Sequence, residues 1–331
     1  YIDGGLGNDT IIVLGSGNNT LLGGLGDDLI AANQSSGTNI ITDTLGNNTV
    51  LGGSGADTIK TGAGNDFIDA GDGINIISAG AGNDTAIGGI GSDKISGEAG
   101  INYIVGYDGN DTLLGGAQVD SIFGGYGADT INGGAGDDYL SGDDGADTIY
   151  GGAGNDSMFG GFGDDKISGD AGINYIYGGE GADTLIGGAQ VDTIYGGEGA
   201  DVITGGAGIN ALSGDGGADT ITGGALVDTI YGGFDADVLA GGAGNDILYG
   251  DFGTDSIRGG VGNDTMTGGF DADSFLFDTI KTMGKDVLTD FNYTADTLHF
   301  DLATMATSFE SLAKQVGSDV VVSFAATAIL T

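Results

Sequence analysis

Apolar side chains recur at every ninth residue along most of this chain, each inside a short tract such as Asp156-Ser157-Met158-Phe159. The register holds from residue 43 to residue 276 without insertion or deletion, which is 26 units. A representative unit reads Gly151-Gly152-Ala153-Gly154-Asn155-Asp156-Ser157-Met158-Phe159. Position 8 is apolar in every unit, from Val50 and Ile59 through Met158 to Phe275. Less regular copies at 4–12 and 23–31 precede this block, with insertions of one and two residues near Val13 and around residues 32–34.

Each tract predicts a strand of about four residues, with position 8 facing inward and positions 7 and 9 outward. Gly at positions 1, 2 and 4 predicts a tight turn with positive φ. One unit is then a turn plus a short strand. Two units, 18 residues, make one coil with a strand in each of two parallel sheets. A single unit cannot bury its one inward residue, but stacked units form a continuous apolar ladder. Helix is disfavoured through the block, because Gly costs about 1 kcal/mol per residue relative to Ala. The pattern divides the chain into irregular repeats (1–42), regular repeats (43–276) and a segment outside the register (277–331). In that last segment 307–316 is the best helix candidate, opening at Thr307 or Ser308 and carrying Phe309, Leu312, Ala313 and Val316.

Composition narrows the function classes. Of 331 residues 74 are Gly, while Pro, Cys and Trp are absent. The lack of Pro rules out collagen. The lack of Cys excludes disulfides and thiolate metal sites. A hydrophobic fraction of 39% is too high for a disordered linker. Seven Lys and Arg face 48 Asp and Glu, a net charge of -41. That balance disfavours nucleic acid and anionic membranes as partners and points to bound cations. No apolar run reaches the ~18 residues of a membrane-spanning helix, and no secretory signal opens the chain.

The acidic residues follow the repeat. Position 6 is Asp in 21 units and Asn in five: Asn48, Asn75, Asn102, Asn174 and Asn210. The candidate metal ligands are Asp9, Asp28, Asp57, Asp66, Asp84, Asp93, Asp111, Asp120, Asp129, Asp138, Asp147 and Asp156. They continue with Asp165, Asp183, Asp192, Asp201, Asp219, Asp228, Asp237, Asp246, Asp255, Asp264 and Asp273. Turn carbonyls such as those of Gly125, Gly127, Gly152, Gly154, Gly242 and Gly244 would complete the oxygen donors. Ca²⁺ takes 6–8 oxygens, and carboxylates stacked about 4.8 Å apart repel without it. On the order of 20 ions would nearly cancel the formal charge.

These units resemble the RTX calcium-binding nonapeptide family, whose pattern is G-G-x-G-x-D-x-U-x. One such motif is weak, but 26 in register are specific. The resemblance implies an all-β parallel β-roll, a right-handed β-solenoid of 18 residues per coil, with Ca²⁺ between stacked turns. It implies a C-terminal capping segment around Gly284-Lys285-Asp286-Val287-Leu288-Thr289-Asp290-Phe291-Asn292 and Asp296-Thr297-Leu298-His299-Phe300, with a further strand at Gly317-Ser318-Asp319-Val320-Val321-Val322-Ser323-Phe324. It also implies type I export by an uncleaved C-terminal signal and an extracellular or cell-surface location. Because a turn lies next to Tyr1, the chain is expected to be a fragment or processed part of a longer protein.

Nothing in the sequence supplies a catalytic set. His299 is the only His, so no HExxH zinc helix exists. No Ser lies in a nucleophile elbow, and the paired carboxylates belong to the repeat. The reading is a non-enzymatic, calcium-rigidified rod of a surface layer, filament or adhesin. The alternative is the folding and secretion module of an exported toxin or hydrolase with its active domain upstream. A minor alternative is ice binding through outward Thr58, Thr112, Thr130, Thr148, Thr184 and Thr220, a ladder broken by Lys94, Lys166, Ile76, Val202 and Val238. Finally, Ile101, Val119, Ile173, Val191, Ile209 and Val227 replace the usual Asn at position 5. Beside outward aromatics at position 9 (Phe123, Phe159, Tyr177, Tyr195, Tyr231 and Tyr249), the row Ile173, Val191, Ile209 and Val227 is a candidate contact for self-assembly or other surface components. Calcium is expected to be weak or missing at those turns.

Overall fold

The computed structural model describes residues 1–277, 284–300, 313–316 and 319–323. It contains two compact units, Tyr1–Ala171 and Gly172–Thr331. Each is a parallel β-solenoid in which successive strands alternate between two sheets, and no helix occurs among the described residues. None is therefore long and apolar enough to cross a membrane.

In the first unit, strands pair in register at 18-residue spacing over the regular block, as in Thr130↔Thr148 and Tyr139↔Ser157. The irregular copies keep the coil but lengthen it. Ile2 pairs with Leu21, Asn19 with Asn39 and Leu29 with Thr49, and a register shift falls between Ile12 and Leu14. The insertion sites fall inside the strands Thr10–Gly15 and Leu29–Ser35, where the extra residue is taken up as a bulge.

The second unit repeats the 18-residue pairing, as in Tyr175↔Thr193 and Ile247↔Thr265. Its last coils are longer, with Thr265 opposite Val287 and Ser274 opposite Thr297. Lys285–Leu288 then pairs antiparallel with Asp319–Ser323, which pairs with Ala313–Val316. The end of the expected helix is therefore strand; residues 307–312 lie outside the described residues. An antiparallel partner supplies edge hydrogen bonds that a free helix could not.

Strands are mostly six residues, longer than the four expected; Ser157–Phe162 is typical. They continue through the two glycines because those residues stay in parallel register with the next coil. Position 8 forms the core: Ile149, Met158, Ile194 and Leu248 are fully buried. Each such side chain contributes about 1.5–3 kcal/mol by burial. One sheet in each unit carries outward aromatics, with Tyr103, Phe123, Tyr139 and Phe159 in successive contact at 5.3–5.6 Å, and Tyr231 stacked on Tyr249 at 4.9 Å. This is the aromatic sheet.

The glycines divide into two kinds. At positions 2 and 4, Gly152 and Gly154 have φ of 98° and 146°, as the turn requires. Position 1 does not need positive φ, contrary to expectation. Gly151 is required there by space, since a Cβ would lie 2.5 Å from Asp156 Oδ2 and 3.0 Å from Gly169 O.

Candidate metal centre

Position 6 closes each turn just before a strand begins, so its side chains form two columns in each unit, one ahead of each sheet. Within a column the backbone N–H of one Asp donates to Oδ1 of the Asp one coil on. Asp120 donates to Asp138 at 2.7 Å, Asp129 to Asp147 at 2.7 Å and Asp219 to Asp237 at 2.8 Å. The same Asp residues are buried, with exposures of 0–3% from Asp28 to Asp273. Asp9 alone among those predicted is half-buried.

The second oxygen has no such partner. Oδ2 is buried without a hydrogen bond at all the predicted Asp residues but Asp273. It faces a small cradle over the position-1 glycine, into which the position-1 carbonyl of the next coil also points. Asp156 Oδ2 with Gly169 O, and Asp246 Oδ2 with Gly259 O, are examples. An unpaired buried carboxylate oxygen is costly, of the order of several kcal/mol, unless a cation meets it.

The proton affinities record the same demand. Burial pushes Asp129, Asp201 and Asp237 up to about 7, against the lowering effect of the N–H bond each accepts. Neighbouring carboxylates of the column raise them further: Asp111 and Asp147 act on Asp129, and Asp219 and Asp255 on Asp237. Burial also raises Asp192 and Asp228, but Asn174 and Asn210 act on them only through hydrogen bonds that lower the value.

Two further carboxylates with the same orphaned oxygen, Asp43 at position 1 and Asp286, lie outside the predicted set, as does Asp296, whose Oδ2 accepts the N–H of Asn292 at 2.7 Å. Asp43 and Asp286 are buried with orphaned Oδ2, and burial pushes both up to about 6. Asp296 accepts the N–H of Asp273 at 3.1 Å, and Asp286 that of Asp264 at 3.1 Å, so both columns run on past residue 276. The signal was present in Gly284-Lys285-Asp286-Val287-Leu288, which keeps the Gly, Asp and apolar spacing of positions 4, 6 and 8. The carbonyls that face the orphaned oxygens are those of position 1, as Gly169 O faces Asp156 Oδ2. Of the carbonyls expected as donors, that of Gly152 accepts the N–H of Ala171 at 2.9 Å in the ladder. His299 is exposed on the strand Thr297–Phe300, 3.4 Å from Thr297 Oγ1.

No group of three or more His, Cys, Asp or Glu side chains gathers among the described residues. The donors are carboxylates in single file with backbone carbonyls between them, an all-oxygen set. A hard divalent cation of flexible coordination suits it, and Ca²⁺ fits better than Zn²⁺, which favours nitrogen and sulfur.

No curated protein matches the chain. A crystal structure of a hyperactive, Ca²⁺-dependent, β-helical antifreeze protein from an Antarctic bacterium is 21% identical, at a TM-score of 0.30, covering 77% of this chain and 84% of that one. The model of the RTX calcium-binding nonapeptide repeat matches in overlapping blocks from residues 1–11 and 11–38 through 105–140 and 177–212 to 241–275, so the chain belongs to the RTX calcium-binding nonapeptide repeat family.

Proposed function

We propose that this chain is an extracellular structural module that folds when its carboxylate columns take up calcium, and that it serves in a surface layer, filament or adhesin. The observation that carries the reading is the run of buried, unpartnered Asp Oδ2 atoms beside carbonyl oxygens in both units. Position-6 carboxylates and position-1 carbonyls would hold the ions, on the order of 20 if most gaps fill. Bound calcium supplies the positive charge that offsets repulsion along each column. At roughly 5 Å and an effective dielectric of about 20, that repulsion is about 3 kcal/mol per neighbouring pair. Low calcium inside a cell leaves the chain uncoiled and fit for export, while millimolar calcium outside coils it. The apolar row Ile173, Val191, Ile209 and Val227 stays exposed, between 41% and 59%, and would supply a lateral contact between subunits.

Electron microscopy of the native assembly, with calcium and after chelation, tests the structural role. Ordered assemblies that dissolve on chelation are expected. A chain that folds with calcium but only as a soluble monomer attached to a catalytic domain would remove the structural role and leave a folding module.

A further inference from the structure

We infer that the turns carrying Asn at position 6 are metal-free breaks in the carboxylate columns, closed by the Asn amide itself. This rests on the calcium reading above and adds which turns are left out of it.

One atom of each Asn continues the column. Asn102 Oδ1 accepts the N–H of Asp84 at 3.1 Å, and Asn210 Oδ1 accepts that of Asp192 at 3.0 Å, as an Asp Oδ1 does elsewhere. The other atom reverses the chemistry of the cradle. Asn102 Nδ2 donates to Gly100 O at 3.2 Å, Asn210 Nδ2 to Gly208 O at 3.2 Å and Asn48 Nδ2 to Gly46 O at 3.0 Å. A Cβ on Gly97 or Gly205 would meet this Nδ2 at 2.6 Å, where a Cβ on Gly151 meets the Oδ2 of Asp156 at 2.5 Å. A hydrogen-bond donor thus stands at the point where other turns present an anionic acceptor. It brings no negative charge, occupies a carbonyl lone pair and turns its N–H dipole toward any entering cation.

A second departure falls at the same turns. Ile74, Ile101, Ile173 and Ile209 immediately precede Asn75, Asn102, Asn174 and Asn210, and all four are exposed. Where position 5 is Asn, its Oδ1 accepts the next coil's N–H, as Asn65 does from Asn83 at 2.8 Å. The Ile side chain cannot, so these turns lose two oxygen acceptors together. Calcium therefore fills separate blocks. In the second unit Asp192 stands alone between Asn174 and Asn210, whereas the opposite column runs from Asp183 to Asp273 in unbroken Asp.

The test is the calcium content of the gel-filtered, full chain, measured by atomic emission, with ion positions from anomalous scattering. Asn210→Asp and, as a second variant at an independent turn, Asn102→Asp should each raise the bound calcium by at least one ion per chain. Asn210→Ala should keep the wild-type number. Unchanged content in both Asp variants, an ion lost in Asn210→Ala, or calcium density in the wild-type Asn210 turn would overturn this assignment alone. A wild-type chain without bound calcium would overturn the calcium reading together with it.

Discussion

In the second unit the two columns of turns share one backbone design and differ in one atom at two positions. Ahead of one sheet stand Asp183, Asp201, Asp219, Asp237, Asp255 and Asp273; ahead of the aromatic sheet stand Asn174, Asp192, Asn210, Asp228, Asp246 and Asp264. The Oδ1 ladder runs unbroken through both, at 2.8 Å for Asp201 to Asp219 and 3.0 Å where Asn210 accepts from Asp192. The coil geometry therefore does not depend on the charge. The demand for a cation does. Column neighbours add to the effect of burial at Asp201 and Asp237, while Asp192 next to Asn174 is raised by burial alone. Backbone hydrogen bonds set the register, and the choice of Asp or Asn decides where that register carries a buried negative charge.

The harshest way to break the comparison is to remove calcium from both columns. In excess chelator at pH 8 the far-ultraviolet circular dichroism should lose most of its β signal, because every Asp run then repels itself. A strong β spectrum in chelator would show that the ladder of hydrogen bonds and apolar side chains suffices without ions.

Single substitutions sharpen it. Asp219 has carboxylates on both sides and Asp192 has amides on both sides. Asp219→Asn should move the calcium midpoint of folding upward by about ten-fold, as ligand charge tunes affinity, and Asp192→Asn by less than about two-fold. Equal shifts in a calcium titration would mean that the two columns bind alike.

Protons probe the same charges. The folded values near 6 and 7 at Asp219, Asp201 and Asp237 lie above the ordinary value of 3.8. A raised folded value means stability that is complete below the unfolded value and lost as pH rises through the folded one. The metal-free chain should then gain β structure as pH falls from 8 to 5.5, while calcium affinity falls over the same interval. Identical spectra of the chelated chain at both values would contradict this.

The smallest effect concerns the exposed row. Replacing Ile173, Val191, Ile209 and Val227 with Asn should leave the calcium midpoint within about two-fold, since exposed positions contribute little to folding, and should weaken self-association in sedimentation. A large shift of the midpoint with assembly intact would make the row a local packing device instead.

Much of this was legible in the residues. The nine-residue register, the inward position 8 and the two-sheet coil follow from strand alternation, which any sequence with this spacing must obey. The insertions near Val13 and at residues 32–34 were visible as breaks in the register, and coils of 19 and 20 residues stand there, as in Ile2↔Leu21 and Asn19↔Asn39. The turn carboxylates were legible because a charge repeated at a fixed spacing must stack on itself.

Other features needed the third dimension. Asp286 and Asp296 join their columns across spacings of 22 and 23 residues, which no nine-residue register reaches. The strand at Ala313–Val316 replaced the end of an expected helix because an edge at Lys285–Leu288 was open to pairing through Asp319–Ser323. Position-1 glycine read as a turn former, yet its role is to leave room between Asp156 Oδ2 and Gly169 O. By itself the sequence determined the period, the inward face and the charge, because these depend on neighbours along the chain. Which oxygen is satisfied and which carbonyl faces the other were decided only by stacking one coil on the next, since the N–H that satisfies each Oδ1 comes from a residue 18 away.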